Sequence, residues 1–213
     1  MESRIGSGLK GAKTWVAAVI GLAAVGIDLA QGGATAYSIP RIGLGVAVLI
    51  FMASLAGNDR CSVGFTLRAR PSWSFWPKCT MFLGGFVLAG SLMVSAGLWM
   101  FDALPPLQSD FHSKDQIVNF LWQGCLWAPI EEELLYRGAL CVPLAALIGR
   151  RWTVLVAGLT FAALHYVYGN LGVNHVFAGF VMGWAYLRSG SLLVPILLHS
   201  LGNLSVWFLH VGL

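Results

Sequence analysis

Residues 192–211 read LLVPILLHSLGNLSVWFLHV, twenty positions without an Asp, Glu, Lys or Arg. About 20 such residues, at a helical rise of about 1.5 Å each, match the thickness of a bilayer's hydrocarbon core. Six further apolar runs precede this one: roughly Trp15–Ala30, Ile42–Ala56, Cys79–Phe101, Gln116–Gly149, Trp152–Tyr168 and Val173–Leu187. The fold expected is therefore all-α, a polytopic transmembrane helix bundle of about seven spans, with six to eight as the range. Residues 1–115 would hold spans 1–3 and their loops, and residues 116–213 a core of spans 4–7, in one integrated membrane domain. The fourth run is too long for one straight crossing, and Pro129 is expected to kink it.

Composition supports this reading. Of the 213 residues 57% are hydrophobic and 10% charged, against about 25% charged in a soluble domain. A chain this short could not enclose so much apolar surface in a core of its own, so lipid is the expected partner. The basic start before Trp15 resembles a signal peptide, but no convincing small-residue cleavage site follows, and an uncleaved first span is expected. The formal charge of +4 comes from short loops, so it bears on membrane orientation and not on nucleic acid. Arg4, Lys10, Lys13, Arg60, Arg68, Arg70, Lys78, Arg150, Arg151 and Arg188 fall on one side of the expected bundle. Arg41 and Lys114 sit near loops of the other. The positive-inside rule then puts the amino terminus in the cytoplasm, most naturally of a bacterial inner membrane. Cys61, Cys79, Cys125 and Cys141 show no C-x-x-C spacing, which points to neither a disulfide framework nor a zinc cluster.

The informative residues are polar ones inside apolar runs, where each costs on the order of 3 kcal/mol at mid-bilayer unless it has a partner or a task. The fourth run carries Glu131, Glu132, Glu133 and Arg137, the fifth Phe161 and His165, and the seventh His199 and Asn203. Glu133 and Arg137 are four apart and are expected to pair. Glu132 points about 100° away and is free to face the interior. Glu131, on another side again, is expected near a more hydrated edge. Phe161 could orient the His165 imidazole. His199 and Asn203 share a face and could aim two donors at one point, as an oxyanion requires. His175 and His210 read as interfacial, and His112 as a loop residue. Cys125, seven residues before Glu132, is either a nucleophilic thiol or a buried inert one. The pair Gly179 and Gly183 should let its helix pack closely on a neighbour.

In order, Glu132-Glu133-x-x-x-Arg137, Phe161-x-x-x-His165 and His199-x-x-x-Asn203 resemble the three motifs of the CAAX-protease and bacteriocin-processing (CPBP, or Abi) family of glutamic intramembrane proteases. The likeness covers about residues 116–207. It implies that Glu132 and His165 activate water, that His199 and Asn203 hold the oxyanion, and that Glu133 and Arg137 support the site. Phe161 would be a further supporting residue. It implies an intramembrane endopeptidase cleaving near the carboxyl terminus of a membrane-anchored protein or peptide, with no cofactor. The expected depth of the site, more open to the outer leaflet, favours a sorting-type substrate. Rival readings are a zinc-dependent CAAX-type prenyl protease and a non-enzymatic immunity or transport protein. Two histidines and a glutamate suit zinc, but there is no H-E-x-x-H, and Asn203 would have no task as a ligand.

Overall fold

The computed structural model describes residues 4–31, 38–101, 113–169 and 172–211. Every regular element among them is helical. They are α1 (Ala12–Ala30), α2 (Ser38–Leu55), a 3-10 turn (Arg60–Val63), α3 (Phe75–Met100), α4 (Lys114–Asn119), α5 (Ala128–Glu132), α6 (Val142–Val167), α7 (Val173–Ser189) and α8 (Leu193–Val211). Two π-helical segments, Phe120–Trp127 and Glu133–Cys141, flank α5, so α4 to α6 form one continuous helical run. π segments are rare and gather at functional sites; here they bracket the acidic cluster.

Local chemistry sets the breaks. Ser113 opens α4 with a capping box: its Oγ accepts from the Gln116 N–H at 3.2 Å, and its own N–H donates to Gln116 Oε1 at 3.0 Å. Gly149 divides α6 with φ 76° and ψ 166°, a backbone region open essentially to glycine alone. The expected division into fourth and fifth runs falls at this residue. The long run therefore makes two rods, 114–149 and 150–167. The bend expected of Pro129 is met differently, since Pro129 sits in the first turn of α5 just after the first π segment.

The bundle sets buried charges within an apolar core and exposes large apolar side chains. Asp28, Arg41, Glu133 and Arg137 are at most 1% exposed, whereas Trp15, Met81, Phe82 and Trp99 are more than 60% exposed. Charges inside and large apolar groups outside are the distribution that lipid selects. The helices Ala12–Ala30 and Lys114–Val167 are long and apolar enough to cross a membrane, while Ile39–Leu55 and Leu193–Ser205 are apolar but shorter.

One edge of the bundle gathers helix ends. Gly6 N–H donates to Ser62 O and Arg70 N–H to Ser189 O, while Leu192 N–H reaches Gly64 O. Arg150 Nη2 donates to Leu187 O at 2.6 Å. The start of α1, the end of α2, the Gly149 break, the end of α7 and the start of α8 therefore lie at one level. Above it, α6 and α7 pack through glycine. A Cβ on Gly179 would stand 2.8 Å from Gly158 O, and one on Gly158 would meet the Phe180 ring at 2.5 Å. The close approach expected of the glycine pair is made to α6 at Gly179, while Gly183 meets Val154 of α6 at an ordinary 3.9 Å.

Candidate active site

The three consecutive glutamates are all buried, and each has a different environment. Glu133 opens the second π segment. Its Oε2 lies 3.2 Å from Arg137 Nε, the expected pair, and its Oε1 is 2.9 Å from His199 Nδ1. Arg137 is held further by its guanidinium over the Phe161 ring, 4.6 Å from the centroid, and by Nη2 donating to Gly179 O at 3.4 Å. Its charge is thus neutralised by a carboxylate and an aromatic face together.

Glu131 does not lie at a hydrated edge. It is 4% exposed, and its Oε1 accepts from Arg41 Nη1 at 2.6 Å. Arg41 is likewise no loop residue. It is 1% exposed, with Nε on Asp28 Oδ1 at 2.5 Å and Nη2 on Asp28 Oδ2 at 3.2 Å. Tyr136 and Tyr168 hydroxyls donate to the same Asp28 Oδ2 at 2.8 and 3.5 Å. The physical reason for both corrections is the same: an arginine at the start of an apolar helix reaches inward when buried carboxylates offer it a bidentate partner.

Glu132 is left in a different state. Like those of Glu131 and Glu133, its Oε2 is buried without a hydrogen bond, but its ion-pair partner, His199 Nε2, stands 4.0 Å away, farther than the cations on the other two. His199 is therefore fixed by Glu133 through Nδ1 and presents Nε2 to Glu132.

His165, two residues before the end of α6, is buried beside this cluster. Its Nδ1 is 2.9 Å from Phe161 O. A carbonyl only accepts, so Nδ1 carries the proton and the lone pair of the neutral ring lies on Nε2. Phe161 organises the whole group: its centroid is 4.3 Å from the His165 ring, 6.3 Å from that of His199 and 5.7 Å from that of Tyr136. The expected orienting role of Phe161 is present in this geometry.

Asn203 lies one turn beyond His199 and is partly buried, but its Nδ2 donates to Gly124 O in the first π segment at 2.7 Å. One of its two N–H groups is thus occupied by backbone, and the second remains for another acceptor. Cys125, next in that segment, is partly buried and unbridged. Among the described residues, no three His, Cys, Asp or Glu side chains converge in a way that could hold a metal ion.

A second histidine stands beside His165. His175, near the start of α7, is partly buried. Its ring stacks on His165 at 4.3 Å and 24°, and its Nδ1 accepts from the Gly172 N–H at 2.9 Å. Its position ten residues after His165, across a loop, gave no helical periodicity to reveal it. His112 and the side chain of His210 lie outside the described residues.

An apolar-surfaced helical bundle that buries four carboxylates, two arginines and two histidines defines a membrane-type acid–histidine site. Residues 114–205 match the family described as type II CAAX prenyl endopeptidase Rce1-like, the family to which the three motifs point. The matched segment is less than half of the chain and holds Glu132, His165, His199 and Asn203. The chain is also similar to an Escherichia coli protein described as an uncharacterized 24.3 kDa protein, 33% identical over 134 residues, covering 60% of this chain and 58% of that protein. No solved structure matches the chain significantly.

Proposed function

We propose that this chain is an integral membrane endopeptidase of about seven spans. It would cleave a membrane-anchored protein or peptide near its carboxyl terminus, with Glu132 as the general base. The observation that carries the reading is the unequal treatment of the three glutamates. Each keeps a buried Oε2 without a hydrogen bond, but Arg41 pairs with Glu131 at 2.6 Å and Arg137 and His199 with Glu133 at 3.2 and 2.9 Å, while Glu132 has only His199 Nε2, at 4.0 Å. A base needs such a lone pair within reach of its proton.

In this mechanism water gives its proton to Glu132, and the Nε2 lone pair of His165 helps orient that water. The resulting hydroxide attacks the scissile carbonyl carbon. Negative charge develops on the carbonyl oxygen, which accepts from His199 Nε2–H and the remaining Asn203 amide N–H. His199 also donates through Nδ1 to Glu133, so it acts here as an imidazolium. The charges of Glu132, Glu133, Arg137 and His199 then sum to zero, which a site shielded from water requires. Glu132 afterwards returns its proton to the leaving amine. No metal enters the scheme, and chelators leave cleavage unchanged.

The edge holding Arg68, Arg70, Arg150 and Arg188 is assigned to the cytoplasm of a bacterial inner membrane by its positive charge. His165 and His175 stand near the opposite ends of their helices, so the site opens toward the outer leaflet. A secreted protein held by a carboxyl-terminal apolar anchor would present its cleavage site there, which supports a sorting-type substrate over a cytoplasmic prenylated one. The test is cleavage, by the purified protein in liposomes, of two reporters: one with an apolar carboxyl-terminal anchor and one with a farnesylated CAAX end. Preference for the anchored reporter is expected. Preference for the farnesylated one would reverse the substrate assignment and leave the base intact.

A further inference from the structure

A second site of distinct chemistry lies at the arginine-rich edge. There a pocket of about 280 Å³ is lined by Arg4, Cys61, Thr66, Arg68, Arg70 and Ser189, with no carboxylate among its lining residues. Three segments remote in sequence build it, and backbone and side-chain hydrogen bonds pin them together. Gly6 N–H donates to Ser62 O at 2.9 Å, and Arg70 N–H to Ser189 O at 3.1 Å. Ser191 Oγ–H donates to Thr66 O at 2.6 Å, and Tyr186 O–H to Val63 O at 2.9 Å. The arginines are therefore mounted on a fixed frame.

Three arginines lining one small cavity together with a threonine and a serine suit a tetrahedral oxyanion, because planar guanidinium forks can donate pairs of N–H groups to its oxygens. The depth of the pocket points to the source of that anion. It lies at the level where α1 and α8 begin and α2 and α7 end, which in a bilayer is the headgroup layer. Beside it Leu67 is 78% exposed, and the neighbouring Trp73, also exposed, donates its Nε1–H to Leu67 O at 2.9 Å. An exposed tryptophan and leucine beside arginines form an interfacial shelf on which acyl chains can lie. Basic pockets at the cytoplasmic ends of spans recognise anionic headgroups in this way.

We propose that this pocket binds the phosphate of an anionic phospholipid headgroup, with Arg4, Arg68 and Arg70 as its ligands and Leu67 and Trp73 against the chains. The inference rests on reading the helices as membrane spans, and it is independent of peptidase activity. By fixing the α7–α8 turn, such a lipid would also steady the base of the helix that carries His199.

Native mass spectrometry of the purified protein tests it. The probes are phosphatidylglycerol, phosphatidylcholine and inorganic phosphate. The wild type is expected to retain one phosphatidylglycerol in clear preference to phosphatidylcholine. The double variant Arg4→Gln/Arg68→Gln should bind it about thirtyfold more weakly. Arg151→Gln, exposed on the same edge but outside the pocket, should bind as the wild type does. Should the double variant not fold, melting of the wild type decides: phosphatidylglycerol must raise the midpoint more than phosphatidylcholine. Equal retention of the two lipids, or an unchanged preference in the double variant, overturns the proposal. So does inorganic phosphate bound as tightly as the lipid, since that marks a free-anion site.

Discussion

Arg41 Nη1 stands 2.6 Å from Glu131 Oε1, across 90 residues of sequence, while the same guanidinium holds both oxygens of Asp28. One cation thus serves two buried carboxylates and ties α1 and α2 to the acidic cluster. Removing it takes the guanidinium from both carboxylates. Arg41→Met should cost about 3–5 kcal/mol, read as a large drop in melting temperature or yield in detergent. Glu131→Gln, which removes one of the two acids, should be milder. An Arg41→Met protein that melts like the wild type would show the network to be ornamental.

His175 stacks on His165 at 4.3 Å, and its expected part is to position that ring. His175→Phe keeps an aromatic face and should retain most activity. His175→Ala should lower kcat about tenfold with KM little changed, on the scale that small misplacements of a reacting group produce. His165→Ala should abolish turnover. If His175→Phe is as damaging as His175→Ala, an imidazole nitrogen is needed and the positioning role is wrong.

Asn203 gives one N–H to Gly124 O, and in the proposed mechanism the other to the oxyanion. Asn203→Ala should therefore reduce kcat by about 100- to 1,000-fold, leaving measurable cleavage, and the protein should still fold. Full activity in that variant would remove Asn203 from the oxyanion site and leave it a helix tie.

The helices were legible in the sequence because lipid-scale apolar runs announce themselves: α1, α2, α3, α7 and α8 fall within a few residues of their expected bounds, and the part of α6 beyond Gly149 matches the fifth run. The Glu133–Arg137 pair and the Phe161–His165 contact were legible because four-residue spacing on a helix fixes a shared face. What spacing does not encode is contact between helices. Asp28 and Arg41 each sit as a lone charge in or beside an apolar run, and their opposite signs were a usable hint that they meet. Only the tertiary packing shows that Glu131 joins them. The link from Glu133 to His199 is of the same kind: it turns a supposed supporting acid into a direct partner of a site histidine. The π segments around α5 are also invisible to a periodicity argument built on 3.6 residues per turn.

Assignment of the base rests on Glu132 being the glutamate of the cluster held most loosely, its ion-pair partner His199 Nε2 standing 4.0 Å away. The most direct measurement is the rate of peptide-bond cleavage in liposomes by Glu131→Gln, Glu132→Gln and Glu133→Gln, each normalised to correctly folded protein by its melting curve. The expected result is a Glu132→Gln protein that melts within a few degrees of the wild type and cleaves nothing. Glu131→Gln should keep its activity, and Glu133→Gln should lose stability along with activity. A folded Glu132→Gln protein that cleaves at near the wild-type rate would contradict the assignment.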